Sequence, residues 1–433
     1  MKQTQPMTLA VRQDSGTAVV HATVTVAQDL INNLYQHALL YRKDQYHPQG
    51  FSRQTTPVAF IDQQFKVHTL KHLKEFLLKY YVVSYLYQEL RRQKIVIVGN
   101  PRLLDVVVEQ GKPAEYLFAI TQAPNMHIHD WKYLPFKSPV RRKYKDIDKQ
   151  ATNFIHEETT QQKATTDPAI VVGDWVHFRV TLVNQQGEHF GTEFNESLWI
   201  QIGSDETSLP FQELFMGKQA GDSFVTDEQC IQEYFSSLLD TSYRFLMTVL
   251  AVLPFRYVDL GAMTTHFKLK SERKLHQKLV EVYSMRNDIS LRRSMADEAL
   301  RLLLNTFPVQ APEHAVTAQM ELIMRIVQEN PDYAVYKQQR NFMQTIHALA
   351  VKQVQEDILM QHLAYSENIT VTDDDVAQYL NLTKRARTKE FIYFVHPSLR
   401  ANEQELPISH ESLKQFCLKE KTLNHLLYHL TKA

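Results

Sequence analysis

Side chains capable of covalent or metal chemistry occur in this chain, but they are not grouped for it. His127 and His129 stand two apart beside Asp130, a spacing that puts both imidazoles on one face of a strand, as metal ligands sometimes are. With 19 histidines in 433 residues such pairs arise by chance, and no metal site is expected. Cys230 and Cys417 lie far apart, with no partner motif and no basic neighbours. Neither a disulfide, a cysteine-based zinc site nor an activated thiol is expected from them. A Gly-rich phosphate loop, a GxSxG elbow and an HExxH helix are all missing from the sequence. The basic run Arg141, Arg142, Lys143 and Lys145 could touch phosphate, but such runs are usually solvated surface.

The elements that would position any site fall into three parts. Val20, Ala22, Val24 and Val26 alternate with polar residues and predict a strand. A helix is predicted over 28–43, a break at Tyr46–Phe51, and further helix from Pro57 and over 67–93, with Leu70, Leu73, Leu77 and Tyr80 as its buried stripe. Strands are predicted at 95–98, 103–108 and 116–121. Residues 123–167 read as a connector, extended over 125–136 and helical around 141–156. The middle, 168–256, alternates as strands do: Val176, Phe178, Val180 and Leu182, then Leu198, Ile200 and Ile202. After Gly261 there is no glycine for 172 residues, so the tail cannot easily be turn-rich β structure. It reads as successive helices over 264–305, 312–329, 333–365 and 409–431, with a short strand over 388–397. Pro312 is placed to launch one helix, and Thr372 with Asp375 to cap another.

Charge divides along the same lines. Residues 1–110 hold 13 Lys and Arg against 8 Asp and Glu, whereas 165–257 hold 4 against 13. The formal net charge of zero thus conceals a basic front and an acidic middle, which suit different partners. Residues 1–6 contain no apolar core and no run of about 18 apolar residues occurs. A cytosolic protein without a membrane span is expected.

Three sets of residues carry a resemblance. Gly173–Phe178, Gly187–Phe190, Pro210–Glu213 and Gly217–Asp222 follow the order of an FKBP-type prolyl isomerase domain. Gly50-Phe51-Ser52-Arg53-Gln54-Thr55-Thr56-Pro57 resembles the ribosome-docking signature of the trigger factor family, roughly GFRxGxxP. Ala299–Pro312, a helix ending in Phe-Pro-Val-x-x-Pro, is similar to part of that family's chaperone domain. The domain order agrees as well, so the resemblance spans nearly the whole chain. It implies an α+β multidomain fold: an α+β ribosome-binding domain over 1–122, a linker over 123–167, an FKBP-like antiparallel β domain over 168–256, and an all-α chaperone domain with helical arms over 257–433.

The same resemblance assigns roles. Gly50, Phe51, Arg53 and Pro57, with Arg42 and Lys43 nearby, would dock on large-subunit protein and rRNA beside the exit tunnel. The family's first Arg is here Ser52 and its inner Gly is Gln54; one fewer cation should weaken contact with phosphates. Phe190, Phe211, Tyr234 and Phe245 would wall a prolyl pocket. Val180 stands where an aromatic is usual, Gly191 where FKBP proteins place Asp, and Ser208-Leu209 replaces a Val-Ile or Ile-Pro pair. A shallow pocket that binds peptides more readily than it catalyses is therefore expected. Met320, Met324, Met343 and Met360 would offer adaptable thioethers to unfolded clients. The implied function is ATP-independent chaperoning of nascent polypeptides, with no cofactor and with neither membrane nor DNA as a partner. The alternatives are a free prolyl isomerase with flanking substrate-binding domains, and a non-catalytic binding scaffold.

Overall fold

The computed structural model describes residues 6–13, 19–46, 48–51, 55–123, 126–139, 147–160, 169–183, 187, 196–203, 209–235, 243–254, 260–283, 285–286, 289–328, 330–383, 391–397, 400–401 and 404–432. The front opens with β1 (Met7–Gln13) and β2 (Val19–Val26), followed by α1 (Gln28–Gln45). Next come α2 (Val58–Leu77), a π-helical turn (Leu78–Val82) and α3 (Val83–Arg92). These three run on without a break, so the two predicted helices form one rod about 50 Å long. β3 (Arg102–Val107) and β4 (Ala114–Thr121) complete an antiparallel sheet of order β1-β2-β4-β3. The alternation seen in the sequence is real: Val20, Ala22, Val24 and Val26 are buried, and the residues between them are half-buried. The strand expected over 95–98 is reduced to a single bridge, Ile97 to Gln122.

The connector, expected to be extended over 125–136, is broken by a 3-10 turn at Trp131–Tyr133, and it then forms α4 (Ile147–Thr160); residues 140–146, with the whole basic run, lie outside the described residues. The middle holds β5 (Trp175–Val183), β6 (Glu196–Gln201), α5 (Leu209–Phe215), β7 (Ser223–Thr226), α6 (Gln229–Phe235) and β8 (Arg244–Leu253). Its second sheet is again antiparallel and has the order β13-β6-β5-β8-β7.

The tail contains α7 (Leu260–His266), α8 (Glu272–Tyr283), the two-residue pair β9 (Met285–Arg286) and β10 (Ile289–Ser290), then α9 (Leu291–Thr306), α10 (Glu313–Gln328), α11 (Tyr333–Lys337), α12 (Phe342–Ser366) and α13 (Asp373–Leu382). A second small pair, β11 (Arg400–Ala401) with β12 (Gln404–Glu405), precedes β13 (Ile408–Ser409) and α14 (His410–Leu430). Pro312 launches α10, whose first turn bonds back to the Pro312 carbonyl. Thr372 and Asp375 form the expected capping box. The strand predicted over 388–397 is not formed among its described residues; Phe391–Phe394 is held by buried Glu420, which accepts from the amides of Tyr393 and Phe394.

The cores do not respect the three-part division. One buried apolar cluster runs from Val24 and Tyr35 through Phe76 and Tyr80 to Phe178 and Met247, so front and middle share it. A second joins Val96, Val98 and Trp131 to α9, α10, α12 and α14. A third joins α4, Trp175 and Trp199 to the tail. β13 extends the middle sheet, pairing Ile408 with Trp199. At that seam His177 stacks on Trp199 (4.4 Å) and on His410 (4.8 Å). Trp199 Nε1 donates to His410 Nδ1 (3.0 Å), and His410 Nε2 meets Asp373 (3.0 Å). Burial first, and the neighbouring His410 second, lower the His177 pKa to about 3.

Candidate functional sites

The projecting tip of the front is a helix–loop–helix formed by α1 and α2. Gly50 adopts φ +94°, a conformation that L side chains rarely tolerate. The turn leaves Phe51 38% exposed, with its ring 5.4 Å from that of Phe60, which is also exposed. Pro57 caps α2. Arg53 lies outside the described residues, as do Ser52 and Gln54. Lys43 is half-buried in the last turn of α1. Arg42 requires a correction: it is 7% exposed, its guanidinium lies over Phe65 at 4.7 Å, and its Nη2 is 2.9 Å from His68 Nδ1. Arg42 thus fastens α1 to α2 and is not offered to a phosphate.

Of the residues expected to wall a prolyl pocket, Phe245 and Tyr234 meet the front of the chain. Phe211 on α5 and Phe245 on β8 are buried, and Tyr234 on α6 is half-buried. Phe190 and Gly191 lie outside the described residues, as does Ser208. The strand ends carrying Phe245 and Val180 face the rod of the front. Tyr80 donates its hydroxyl to the Val180 carbonyl (2.8 Å), and its ring centre is 6.4 Å from that of Phe245. His72 Nε2 is 2.8 Å from the Tyr243 hydroxyl, and Phe76 stacks on the Tyr243 ring at 4.3 Å. Sequence reasoning missed Phe76, Tyr243 and the destination of Tyr80. The available signal was that 72, 73, 76, 77, 80 and 81 are all large side chains, so the helix had apolar or aromatic surface on more than one face. A separate cleft of about 40 Å³ lies between α3, α12 and α14, lined by Tyr87, Arg91, Asp357 and Lys419. It has room for a few waters and none for a peptide.

Among the described residues of the tail, most of the large exposed apolar side chains lie on one feature, Val395 (55% exposed) being set apart from it. α10 and α12 pack as an antiparallel hairpin whose far end, 330–345, is exposed except at half-buried Tyr333 and Phe342. Ile326 (55% exposed), Val335 (64%) and Met343 (53%) sit on or beside this end, and Leu349 follows on α12. Met320 and Met324 are half-buried on α10. Met360 is a second correction: it is 0% exposed, packed in the core where α12 meets the other tail helices, and cannot meet a client.

His127 and His129 are exposed on the extended connector, and among the described residues no group of three or more His, Cys, Asp or Glu could hold a metal ion. Cys230 and Cys417 are buried. Burial pushes the Cys230 thiol up to about 12 and raises that of Cys417 as well, so neither is a ready nucleophile. Among the described residues no helix is long and apolar enough to cross a membrane.

Comparison with known proteins places these features in a family. Residues 7–154 match the family described as bacterial trigger factor protein, and residues 273–427 match its C-terminus. A trigger factor of Magnetococcus marinus is 21% identical over 424 residues, covering 94% of this chain and 92% of its own length. One from Clostridium botulinum is 20% identical over 383 residues, covering 83% and 86%. A solved structure of the trigger factor chaperone, titled for promiscuous substrate recognition in folding and assembly, aligns over 97% of this chain and 100% of its own. Its identity is 14% and its TM-score 0.35, too loose a superposition to bear on the arrangement of domains.

Proposed function

The chain belongs to the trigger factor family, and from that premise we propose that it is an ATP-independent chaperone that docks beside the ribosomal exit tunnel and shields emerging apolar segments. The observation that carries this reading is the α10–α12 hairpin. A helical arm that keeps Ile326, Val335 and Met343 in solvent forgoes about 25 cal/mol for each Å² it could have buried. A few hundred Å² of such surface gives weak, rapidly reversible holding, which suits a client that must be released to fold. The flexible thioether of Met343 adapts to varied partners. The test is aggregation of an unfolded client in the presence of the full chain. Ile326→Lys, Val335→Lys and Met343→Lys together abolish most of the suppression while the thermal midpoint stays within about 2 °C. Suppression that survives all three places client binding elsewhere.

Docking is assigned to the tip Gly50–Pro57, where exposed Phe51 supports the reading and Arg53 supplies the cation. Co-sedimentation with ribosomes falls for Phe51→Ala combined with Arg53→Ala; unchanged co-sedimentation removes the assignment. The domains are assigned as 1–122, 168–256 and 257–433, with 123–167 as the linker, in a cytoplasmic protein.

The middle domain is read as an auxiliary FKBP-type prolyl isomerase. Such a site needs no nucleophile, only a dry aromatic wall that favours the twisted amide against a barrier of roughly 18–20 kcal/mol. Phe211, Tyr234 and Phe245 supply the described part of it. Isomerisation of a proline peptide that is lost in Phe211→Ala supports this role; a rate at background in every form of the chain excludes it.

A further inference from the structure

The rod of the front domain makes a second contact that the docking role does not use. His72, Phe76, Lys79 and Tyr80 stand at i, i+4, i+7 and i+8, one face of a helix, and all four reach the middle domain. His72 and Phe76 hold Tyr243, as described above. The Lys79 ammonium lies 5.8 Å from the centre of the Tyr234 ring. Tyr80 reaches both Phe245 and the Val180 carbonyl. Tyr234 and Phe245 are wall positions of the proposed prolyl site, and Val180 is the position at which that wall lacks its usual ring. An aromatic side chain from another domain, Tyr80, is therefore bonded at that position through the backbone carbonyl of Val180. Tyr243 has further partners: its amide donates to Gln232 Oε1 (3.0 Å), and His37 of α1 stacks on its ring at 5.6 Å.

We infer that the 72–80 face of this helix is an intramolecular occupant of the middle domain's aromatic wall, shutting that wall to proline segments in the free chain. The inference rests on the isomerase reading above. Its physical basis is competition. Proline peptides held by a few apolar contacts bind weakly, whereas a tethered occupant is present at millimolar effective concentration or above. The occupant also brings paired aromatic rings and hydrogen bonds made out of water. Lys79 adds little to this: its side chain stays exposed, and its ammonium 5.8 Å from the Tyr234 ring makes only a weak contact.

The test uses the full chain. Tyr80→Phe with His72→Phe keeps both rings and removes the two polar links; Tyr80→Ala removes the occupant. Three quantities are read: amide hydrogen exchange in β8, anisotropy of a fluorescein-labelled proline-containing tetrapeptide, and its isomerisation rate. The wild-type chain binds the peptide weakly and isomerises it near background. The Phe pair exchanges faster in β8, binds the peptide roughly tenfold more tightly and isomerises it faster, with Tyr80→Ala exceeding it. Should Tyr80→Ala lose its cooperative thermal transition, the Phe pair decides alone. Exchange that does not rise in the Phe pair overturns the inference. So does peptide binding that is already strong in the wild type and unmoved in the opened variant. Faster exchange with neither binding nor isomerisation upholds the cover and eliminates the isomerase reading.

Discussion

Two helical stretches of this chain carry similar apolar residues to opposite ends. Between 72 and 82 the rod places His72, Phe76, Tyr80 and Tyr81 wholly inside the protein, against a sheet more than 90 residues further along the chain. Between 326 and 349 the arm leaves Ile326, Val335, Met343 and Leu349 in solvent. Hydrophobicity alone therefore does not say which surface serves a partner. What separates the two is whether the chain itself supplies a complementary face. The rod meets Tyr243, Tyr234 and Phe245; the far end of the arm projects past the helices that cover its base.

The contrast can be broken most directly by truncating one residue on each side of it. Phe76→Ala opens a void among stacked rings and should cost about 3–5 kcal/mol, read as a lower urea midpoint with the slope unchanged. Val335→Ala on the arm should stay within about 0.5 kcal/mol. Similar losses at both sites would mean that the arm end is packed in solution.

The second prediction concerns pH at the seam between middle and tail. His177 has a folded pKa lowered to about 3 from an ordinary 6.5, by burial first and by His410, Arg179 and Lys414 next, with Asp373 opposing. The folded chain thus binds fewer protons than the unfolded chain between those values. The stabilisation is complete above about pH 6.5 and is lost as pH falls toward 3. Asp373, whose carboxyl is held below its usual range with help from His410 and Lys414, adds a loss of the same sign at the acid end. Urea midpoints at pH 7.5, 5.5 and 4.5 should fall in the wild type and fall less in His177→Phe, which keeps the ring stack. The arm end carries no such buried histidine stack, so its holding activity should not follow that decline until the chain unfolds.

The smallest effect sharpens the comparison by being local. Thr372→Ala removes the cap of α13 and should cost about 1 kcal/mol, with hydrogen exchange rising in the first turn of α13 and unchanged in β8. A change that reaches β8 would show that tail and middle open together.

What could be read from the sequence is what depends on neighbours in the chain. The alternation of β2, the launch of α10 at Pro312 and the Thr372–Asp375 box each need residues within four positions of one another, and each is present. The tip was legible for the same reason, because Gly50 and Pro57 mark a turn and a helix start. Partners across domains leave no periodic trace. Nothing local to Tyr80 names Val180, and nothing in Ile408-Ser409 announces a strand that borrows the edge of β6. Met343 and Met360 show the limit within one helix: the same side chain on α12 is half in water near one end and sealed in the core near the other. Arg42 misleads in the same way, since a cation in a terminal helical turn looks available until His68 and Phe65 are seen to enclose it.

The π-helical turn at Leu78–Val82 gives the front a mechanical character. Interrupted ladders are where long helices bend most readily, and this one lies between a fingertip at Phe51 and Phe60 and a rivet at the other end, where Arg91 grips Glu411 at 2.5 Å. Any bending of the rod would therefore centre on the five residues that hold Lys79 and Tyr80, so that a pull on the tip and an opening of the covered wall would share one point.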